Sequence, residues 1–307
     1  MSRSIPAMAI AALGCLGLVS SSAVASPVMY VTNYGPYPTG SVVTVDPADG
    51  TVTPWMPSGV QSPGAIAVDA QGNVYCANNA SGNVTKITPT GSSTVFASSF
   101  SGPSGLAFDA SGDLFVSNFY SSQIDRVKPD GTRTTFASGL GGPYIPAFGP
   151  GGDLFVPSWN TGSIIKITPA GVTSTYATGL ASPYAVAFDP GGTMFVAAYG
   201  ANSVVKVTDG GTTLTTFATG FSGPSGMAFD ATGNLFVADL GSNTVQKVTP
   251  GGTKSTFATG FIQPVGIAFS TSSAIPEIDP SGLGSVLVLV GGAAGLAERR
   301  RSRATPA

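Results

Sequence analysis

The chain has 307 residues, of which 42 are Gly, 24 are Pro and only 9% are charged. This composition favours short strands joined by tight turns over long helices, so we expect an all-β protein. Between residues 27 and 270, eight basic residues stand against twelve aspartates. This part of the chain therefore lacks the basic stripe that neutralises phosphates, and we expect no nucleic-acid partner.

Residues 1–25 have the composition of a secretory signal peptide. Arg3 precedes an apolar run over residues 7–19, and small residues then lead to Ala25. This pattern predicts export across the inner membrane and cleavage after Ala25. A lipoprotein site at Cys15 is a second, less favoured interpretation.

Five consecutive segments of 40 or 41 residues repeat one pattern. The segments are 62–101, 102–141, 142–181, 182–222 and 223–262. Each holds four apolar phrases separated by turn residues, which in the second segment are 105–109, 113–118, 123–127 and 133–137. Four short strands joined by tight turns within about 40 residues predict one blade of a β-propeller.

The two ends of the repeated region complement each other. Residues 28–57 hold only the last three phrases, and residues 263–270 hold only the first. Joined, they form a sixth blade, and this closure removes the exposed sheet edges of an open array. We therefore predict an all-β, six-bladed propeller of four-stranded antiparallel blades over residues 26–270, and we expect it to be monomeric. Residues 27–61 and 263–270 would form its closing blade.

The repeated phrases follow the pattern Gly-Pro-x-Gly-apolar-Ala-Phe-Asp, then Gly-Asn-Leu-Phe-Val-Ala-Asp, then Asn-x-Val-x-Lys-Val. This pattern resembles the NHL repeat family and extends over the whole region from 27 to 270. The resemblance implies a propeller. It does not choose a function, because such propellers serve as enzymes and as protein- or RNA-binding platforms.

One rim of the predicted ring collects aromatic and amide side chains. In a four-stranded blade, the start of strand one and the end of strand two lie on the same face. The residues at these points are Tyr34, Asn118, Phe119, Tyr120, Tyr144, Trp159, Asn160, Tyr184 and Tyr199. Rings beside amides suit a polysaccharide or an exported protein ligand, whereas the alternative is that the rings only fill gaps between blades.

Asp239 ends strand two of its segment. The same position in the other copies holds Asn33, Asn78, Asn118, Ser158 and Ala198. We favour an Asx turn that ends the strand. The alternative is a channel carboxylate that, with the neighbouring amides, holds a cation or polarises a water.

Three other sets of residues have structural interpretations. The turn aspartates Asp69, Asp109, Asp189 and Asp230 are expected to cap turns, since each turn offers one carboxylate and calcium needs six to eight oxygens. The repeated cations are expected to be solvated framework positions, and they are Lys86, Arg126, Lys166, Lys206 and Lys247. Cys76 is expected to be a small core residue.

The predicted propeller lacks the side chains of most hydrolytic sites. The chain has no His, and its only glutamates, Glu277 and Glu298, lie beyond residue 270. Catalysis by a Ser/His/Asp triad or by paired glutamates is therefore excluded. Gluconolactonase-like propellers use a Glu ligand, and amidating-lyase and streptogramin-lyase propellers rely on His, so their site residues have no counterparts here. We predict a non-catalytic binding protein without a cofactor, and the alternative is a lactonase- or lyase-like enzyme that uses a channel metal or Asp.

The last thirty residues resemble a PEP-CTERM sorting signal. Pro276-Glu277-Ile278-Asp279-Pro280 is followed by an uncharged stretch at 281–297 and then by Arg299, Arg300 and Arg301. Seventeen residues (297 − 281 + 1) at about 1.5 Å each reach roughly 25 Å, the short limit for a transmembrane helix, with the arginines on the cytoplasmic side. The resemblance implies recognition by exosortase-type sorting machinery, removal of the tail, and attachment to the cell surface or release. A permanent membrane anchor is the alternative.

Overall fold

The computed structural model describes residues 27–35, 40–55 and 58–270. The predicted leader at 1–25 and the predicted tail at 271–307 lie outside these residues, and so do Ala25, Pro276, Glu277 and the arginines at 299–301. Apart from two short 3-10 turns, Tyr199–Ala201 and Asp209–Gly211, the regular structure in the described ranges is all β-strand. No helix within them is long and apolar enough to cross a membrane.

The strands of the described residues form six four-stranded antiparallel sheets, which confirms the predicted six-bladed, all-β propeller. Numbered along the chain from the N-terminus, the first three blades run as follows from the inner strand outward. Blade 1 consists of Pro264–Phe269 (β24), Met29–Asn33 (β1), Ser41–Val45 (β2) and Val52–Trp55 (β3). Blade 2 consists of Pro63–Val68 (β4), Val74–Asn78 (β5), Asn83–Ile87 (β6) and Ser93–Ala97 (β7). Blade 3 consists of Pro103–Phe108 (β8), Leu114–Asn118 (β9), Gln123–Val127 (β10) and Arg133–Ser138 (β11).

The other three blades have the same order of strands. Blade 4 consists of Ala147–Phe148 (β12), Leu154–Ser158 (β13), Ser163–Ile167 (β14) and Thr173–Thr178 (β15). Blade 5 consists of Pro183–Phe188 (β16), Met194–Ala198 (β17), Ser203–Thr208 (β18) and Thr213–Thr219 (β19). Blade 6 consists of Pro224–Phe229 (β20), Leu235–Asp239 (β21), Thr244–Val248 (β22) and Lys254–Thr259 (β23).

The ring closes in blade 1, where the last strand of the propeller pairs with the first. β24 is antiparallel to β1, with Met29 opposite Phe269 and Val31 opposite Ile267. The backbone N–H of Ser270 donates to the carbonyl of Val28 at 2.8 Å, and the N–H of Val28 donates to the Ser270 hydroxyl at 2.9 Å. This pairing satisfies the backbone edges that both termini would otherwise expose.

The core is divided into apolar clusters that lie between neighbouring blades. In the interface of blades 3 and 4, the ring of Phe115 on β9 lies edge-on to Phe136 of its own outer strand and to Phe148 of the next inner strand. The centroid distances are 4.9 and 5.1 Å. Similar triads recur around the ring, each centred on the Phe or Tyr of strand two, and this residue joins two neighbouring blades. Edge-to-face pairs of this kind contribute about 0.5–1.5 kcal/mol beyond their burial.

The inner strand of blade 4 departs from the repeat. Pro146 stands where the other copies have Ile, Leu, Val or Met, and proline has no N–H to donate to a β ladder. β12 is accordingly only two residues long, and the preceding Ile145 forms a parallel bridge to Ala185 of blade 5. The N–H of Ile145 donates to the carbonyl of Tyr184, and the N–H of Val186 donates to the carbonyl of Ile145, at 3.0 and 3.1 Å. The first strand predicted for this blade is thus shortened, and the residue at its start pairs with the neighbouring blade.

We expect Gly105→Ala to destabilise the propeller. A Cβ at Gly105 would collide with the backbone carbonyl of Tyr144 and with the ring of Pro146, because inner strands approach closely here. Overpacking at such a site costs about 1–3 kcal/mol, and chemical denaturation measures the loss. Gly151→Ala is the matched control, because a Cβ there meets no atom within 4 Å. Equal free energies of unfolding for the two variants would contradict this account.

Candidate aromatic binding site

Tyr144 and Tyr184 stack on each other at the mouth of the ring. Their ring centroids are 4.2 Å apart and their planes differ by 24°. Tyr184 is the second residue of β16, and Tyr144 directly precedes Ile145, whose parallel bridge ties blade 4 to blade 5. The break at Pro146 therefore places two tyrosines from neighbouring blades side by side.

Further rings extend this pair in both directions to form one continuous surface. On one side Phe119 lies 5.0 Å from Tyr144. On the other side Trp159 lies 5.3 Å from Tyr144 and 5.3 Å from Tyr199. Tyr120, 5.4 Å from Phe119, is 71% exposed and forms the outer limit of the surface. We call these rings, from Tyr120 to Tyr199, the aromatic rim.

A cavity of about 180 Å³ opens at the rim, and all six blades contribute to its wall. Its lining residues are Tyr34, Gly64, Asn79, Ser104, Phe119, Tyr120, Tyr144, Tyr184, Leu240 and Val265. None of these side chains is charged. The cavity thus offers ring faces, tyrosine hydroxyls, one amide and one serine hydroxyl to a ligand.

Three tyrosines that line the cavity have raised pKa values. Burial, with a smaller contribution from neighbouring tyrosines, raises the pKa of Tyr144 to about 12. The same causes raise the pKa of Tyr184 well above its usual value, and burial also raises the pKa of Tyr34. These hydroxyls therefore stay protonated near neutral pH, where each both donates and accepts a hydrogen bond.

The structure separates the sequence-predicted residues into three groups. Those that line the cavity are Tyr34, Phe119, Tyr120, Tyr144 and Tyr184. Trp159 and Tyr199 belong to the rim but lie behind the cavity wall. Asn118 and Asp239 are buried beneath the surface, and Asn160 is exposed beside Gly142; these three do not line the cavity.

The predicted Asx turn at Asp239 is wrong. Asp239 Oδ1 instead accepts the backbone N–H of Ser222, in the loop that enters the same blade, at 2.6 Å. Asn118 accepts the N–H of Ser101 in the same way at 3.1 Å, Asn78 accepts that of Gln61 at 2.9 Å, and Asn33 accepts that of Ile262 at 3.2 Å. The polar residue at the end of strand two therefore fixes the blade's entry loop rather than facing a ligand.

The lining residues that the sequence interpretation missed lie at two equivalent positions of the repeat. Asn79 and Leu240 occupy the position that holds Phe119 and Trp159 in other copies, just after strand two. Gly64, Ser104 and Val265 occupy the position of Tyr144 and Tyr184 in strand one. Comparing all six copies at these two positions, instead of selecting only aromatic members, would have found them.

The repeated cations are more engaged than the sequence predicted. Arg126 forms an ion pair with Asp113 at 2.5 Å, and Lys166 forms one with Asp153 at 2.7 Å. Lys86 lies over the ring of Tyr75 and Lys247 over that of Phe236, with 5.5 and 5.4 Å from nitrogen to centroid. All four side chains stay partly exposed at repeated framework positions, as predicted, and each also has a partner in the protein.

The other structural interpretations agree with the coordinates. Asp69 Oδ1 accepts the backbone N–H groups of Gln71 and Asn73, as a turn-capping residue does. Cys76 is fully buried, and burial raises the pKa of its thiol to about 12. Within the described ranges no three His, Cys, Asp or Glu side chains converge as a metal site would require.

Comparisons with known proteins agree on the fold. The sequence model of the virginiamycin B lyase family matches residues 49–274. A streptogramin B lyase structure is similar at 17% identity, with a TM-score of 0.60 over 75% of this chain and 83% of that chain. The structure of a catalytically inactive virginiamycin B lyase from Staphylococcus aureus with quinupristin, in which one histidine is replaced by alanine, is also similar. The identity is 17% and the TM-score 0.59, over 75% of this chain and 84% of that chain. A chain of a nidogen/laminin complex is similar at 18% identity (TM-score 0.71; 81% and 100%). No curated protein sequence matches the chain significantly.

We expect Asp239→Ala to lower the free energy of unfolding by about 1–3 kcal/mol, because it leaves the N–H of Ser222 without its acceptor. Asp239→Asn is the matched control, since Asn118 makes the equivalent bond in blade 3. Urea denaturation of both variants measures the difference. If Asn were as destabilising as Ala, the negative charge rather than the hydrogen bond would be what the fold needs.

Proposed function

The chain belongs to the virginiamycin B lyase family, and from this premise we propose that it is a non-catalytic, exported member that binds a neutral polysaccharide at the aromatic rim. The observation that carries this proposal is the uncharged cavity at the mouth of the ring, lined by tyrosine and phenylalanine rings. The enzyme alternative, a lyase or lactonase, needs groups for proton transfer or metal binding at the same place.

The residue composition supports binding without catalysis. The inactive S. aureus variant has lost one histidine, whereas this chain contains no histidine at all and no glutamate between residues 27 and 270. Asp239, which would be the channel carboxylate of the enzyme alternative, is 2% exposed and bonded to the N–H of Ser222. No carboxylate lines the rim cavity, so a general acid or base there would have to be a tyrosine, and the raised pKa values of Tyr34, Tyr144 and Tyr184 disfavour their ionisation.

The chemistry of the rim supports a neutral sugar polymer. Pyranose rings present apolar C–H faces that pack on aromatic faces, and their hydroxyls pair with hydroxyl and amide groups. Tyr144, Tyr184 and Asn79 supply these groups in the wall of one cavity. An acidic polysaccharide would find no cation in the cavity wall, because none of the lining residues is charged.

We expect the purified propeller to bind a neutral polysaccharide in affinity electrophoresis or calorimetry, and Tyr120→Ala to weaken binding about tenfold, as loss of an exposed aromatic contact does. Val172→Ala is the control, because Val172 is 63% exposed but lies in the outer turn before β15. If the propeller bound only an exported protein, and Tyr120→Ala weakened that binding, the ligand of the rim would be a protein and not a polysaccharide.

Catalysis is tested separately on the same preparation. Quinupristin, the ligand named for the S. aureus relative, should keep its chromatographic retention after prolonged incubation with the propeller. A retention shift that depends on the protein, and that disappears in a rim variant, would make this chain an enzyme and overturn the non-catalytic proposal.

The proposal extends to sorting at the cell surface. The leader ending at Ala25 and the tail with Pro276, Glu277 and the arginines at 299–301 support export, insertion of 281–297 and exosortase-type processing. The propeller is then attached to or released from the outer surface.

We expect protein recovered from the host envelope and medium to have an intact mass that begins at Ser26 and lacks the segment after about Pro276. Loss of the arginine run is the diagnostic feature, since signal peptidase alone would leave it in place. An intact mass that includes Arg303 would mean that the tail is not removed and serves as a permanent membrane anchor.

A further inference from the structure

A second cavity, of about 310 Å³, lies between blades 5 and 6 at the end of the ring opposite the rim. Tyr184 begins β16 at the rim, whereas Asp189 follows the last residue of that strand and lines this cavity. The two cavities share no lining residue. We call this second cavity the lower groove.

Lys206, in the wall of the lower groove, differs from the equivalent residues of the other blades. Lys166 and Arg126 pair with carboxylates, and Lys86 and Lys247 lie over aromatic rings. Thr193 stands in blade 5 where Asp113 and Asp153 stand in blades 3 and 4. Among the described residues, Lys206 has no carboxylate within 4.0 Å and no ring beneath its ammonium group.

Asp189 in the same wall is also less engaged than its counterparts. In blades 2 and 6, Oδ2 of Asp69 and of Asp230 accepts the side-chain amide of the residue four positions later, each at 2.8 Å. Thr193 offers no such amide, and in the described structure the side chain of Asp189 accepts only the backbone N–H of Thr193, at 2.7 Å through Oδ1. Lys206 and Asp189 thus line the same groove, and neither the ammonium group nor Oδ2 has a protein partner among the described residues.

Apart from Thr232, the remaining side chains in the wall of the groove are those of phenylalanine, proline and alanine. Phe195 lies edge-on to Phe217 and Phe229, at centroid distances of 4.8 and 5.1 Å. A lone anion would be repelled by Asp189, and a lone cation by Lys206. A molecule that carries an ammonium group and a carboxylate on the same carbon, together with an apolar side chain, satisfies all three features.

We propose that the lower groove binds a free α-amino acid with an apolar side chain. Lys206 holds its carboxylate, Asp189 holds its ammonium group, and the two partly exposed phenylalanines, Phe217 and Phe229, contact its side chain. Charge-assisted hydrogen bonds from both ends provide the specificity. This site does not depend on the proposed function of the rim, which lies at the other end of the ring.

The ligand series that tests this proposal changes one charge at a time. In calorimetric or saturation-transfer NMR titrations of the propeller, L-leucine should bind about tenfold more tightly than 4-methylpentanoate, which lacks the ammonium group. L-leucine should also bind more tightly than 3-methylbutylamine, which lacks the carboxylate, by a similar factor. Equal binding of the three compounds, or no binding of leucine up to a concentration of about 10 mM, would overturn the proposal.

Two variants assign the charges to residues. Lys206→Met keeps the aliphatic stem and should weaken the binding of leucine about tenfold. Asp189→Asn should weaken the binding of leucine but strengthen that of 4-methylpentanoate, because it removes the repulsion between two carboxylates. Lys247→Met is the matched control in blade 6, since Lys247 does not line the groove. Thermal melting checks that each variant is folded. A loss of leucine binding in Lys247→Met equal to that in Lys206→Met would refute the assignment.

Discussion

The structure depends on the pairing of β24 with β1, which joins the two ends of the propeller into a ring. Without this pairing, blade 1 would be three strands with an open inner edge, and β24 would have no blade. The six inner strands converge only because the ring is closed, and the rim cavity draws its wall from all six blades. A contact between residues more than 230 positions apart in the chain is therefore a condition for the binding site as well as for the fold.

Within the closed ring, the aromatic rim and the lower groove owe their particular chemistry to positions at which the copies differ. The strand-two position that is Phe in four copies and Tyr in two forms the interfaces between blades. Pro146 interrupts one inner strand and thereby stacks Tyr144 on Tyr184, whereas Thr193 removes the partners that Lys206 and Asp189 would otherwise have.

The two ends of the ring offer opposite chemistry. The rim is aromatic and uncharged, with tyrosine hydroxyls that burial keeps protonated, whereas the lower groove combines rings with one charge of each sign. A family named for a lyase thus includes a chain that retains the propeller scaffold and contains no histidine. This separation of scaffold from site is common in propellers, because loops and strand ends vary without disturbing the packing between blades.

The sequence by itself determined the all-β class, the six blades, the closure of the ring and the gathering of rings at one rim. It could do so because the 40-residue period, the turn residues and the strand-end positions are local patterns that repeat. Only the tertiary structure decided that Asp239 bonds to the entry loop at Ser222, that Ile145 bridges to the next blade, and that Asn79 and Ser104 belong to the cavity. These features join residues about 17 to 40 positions apart or from different blades, and their geometry follows from how the blades pack rather than from any local pattern.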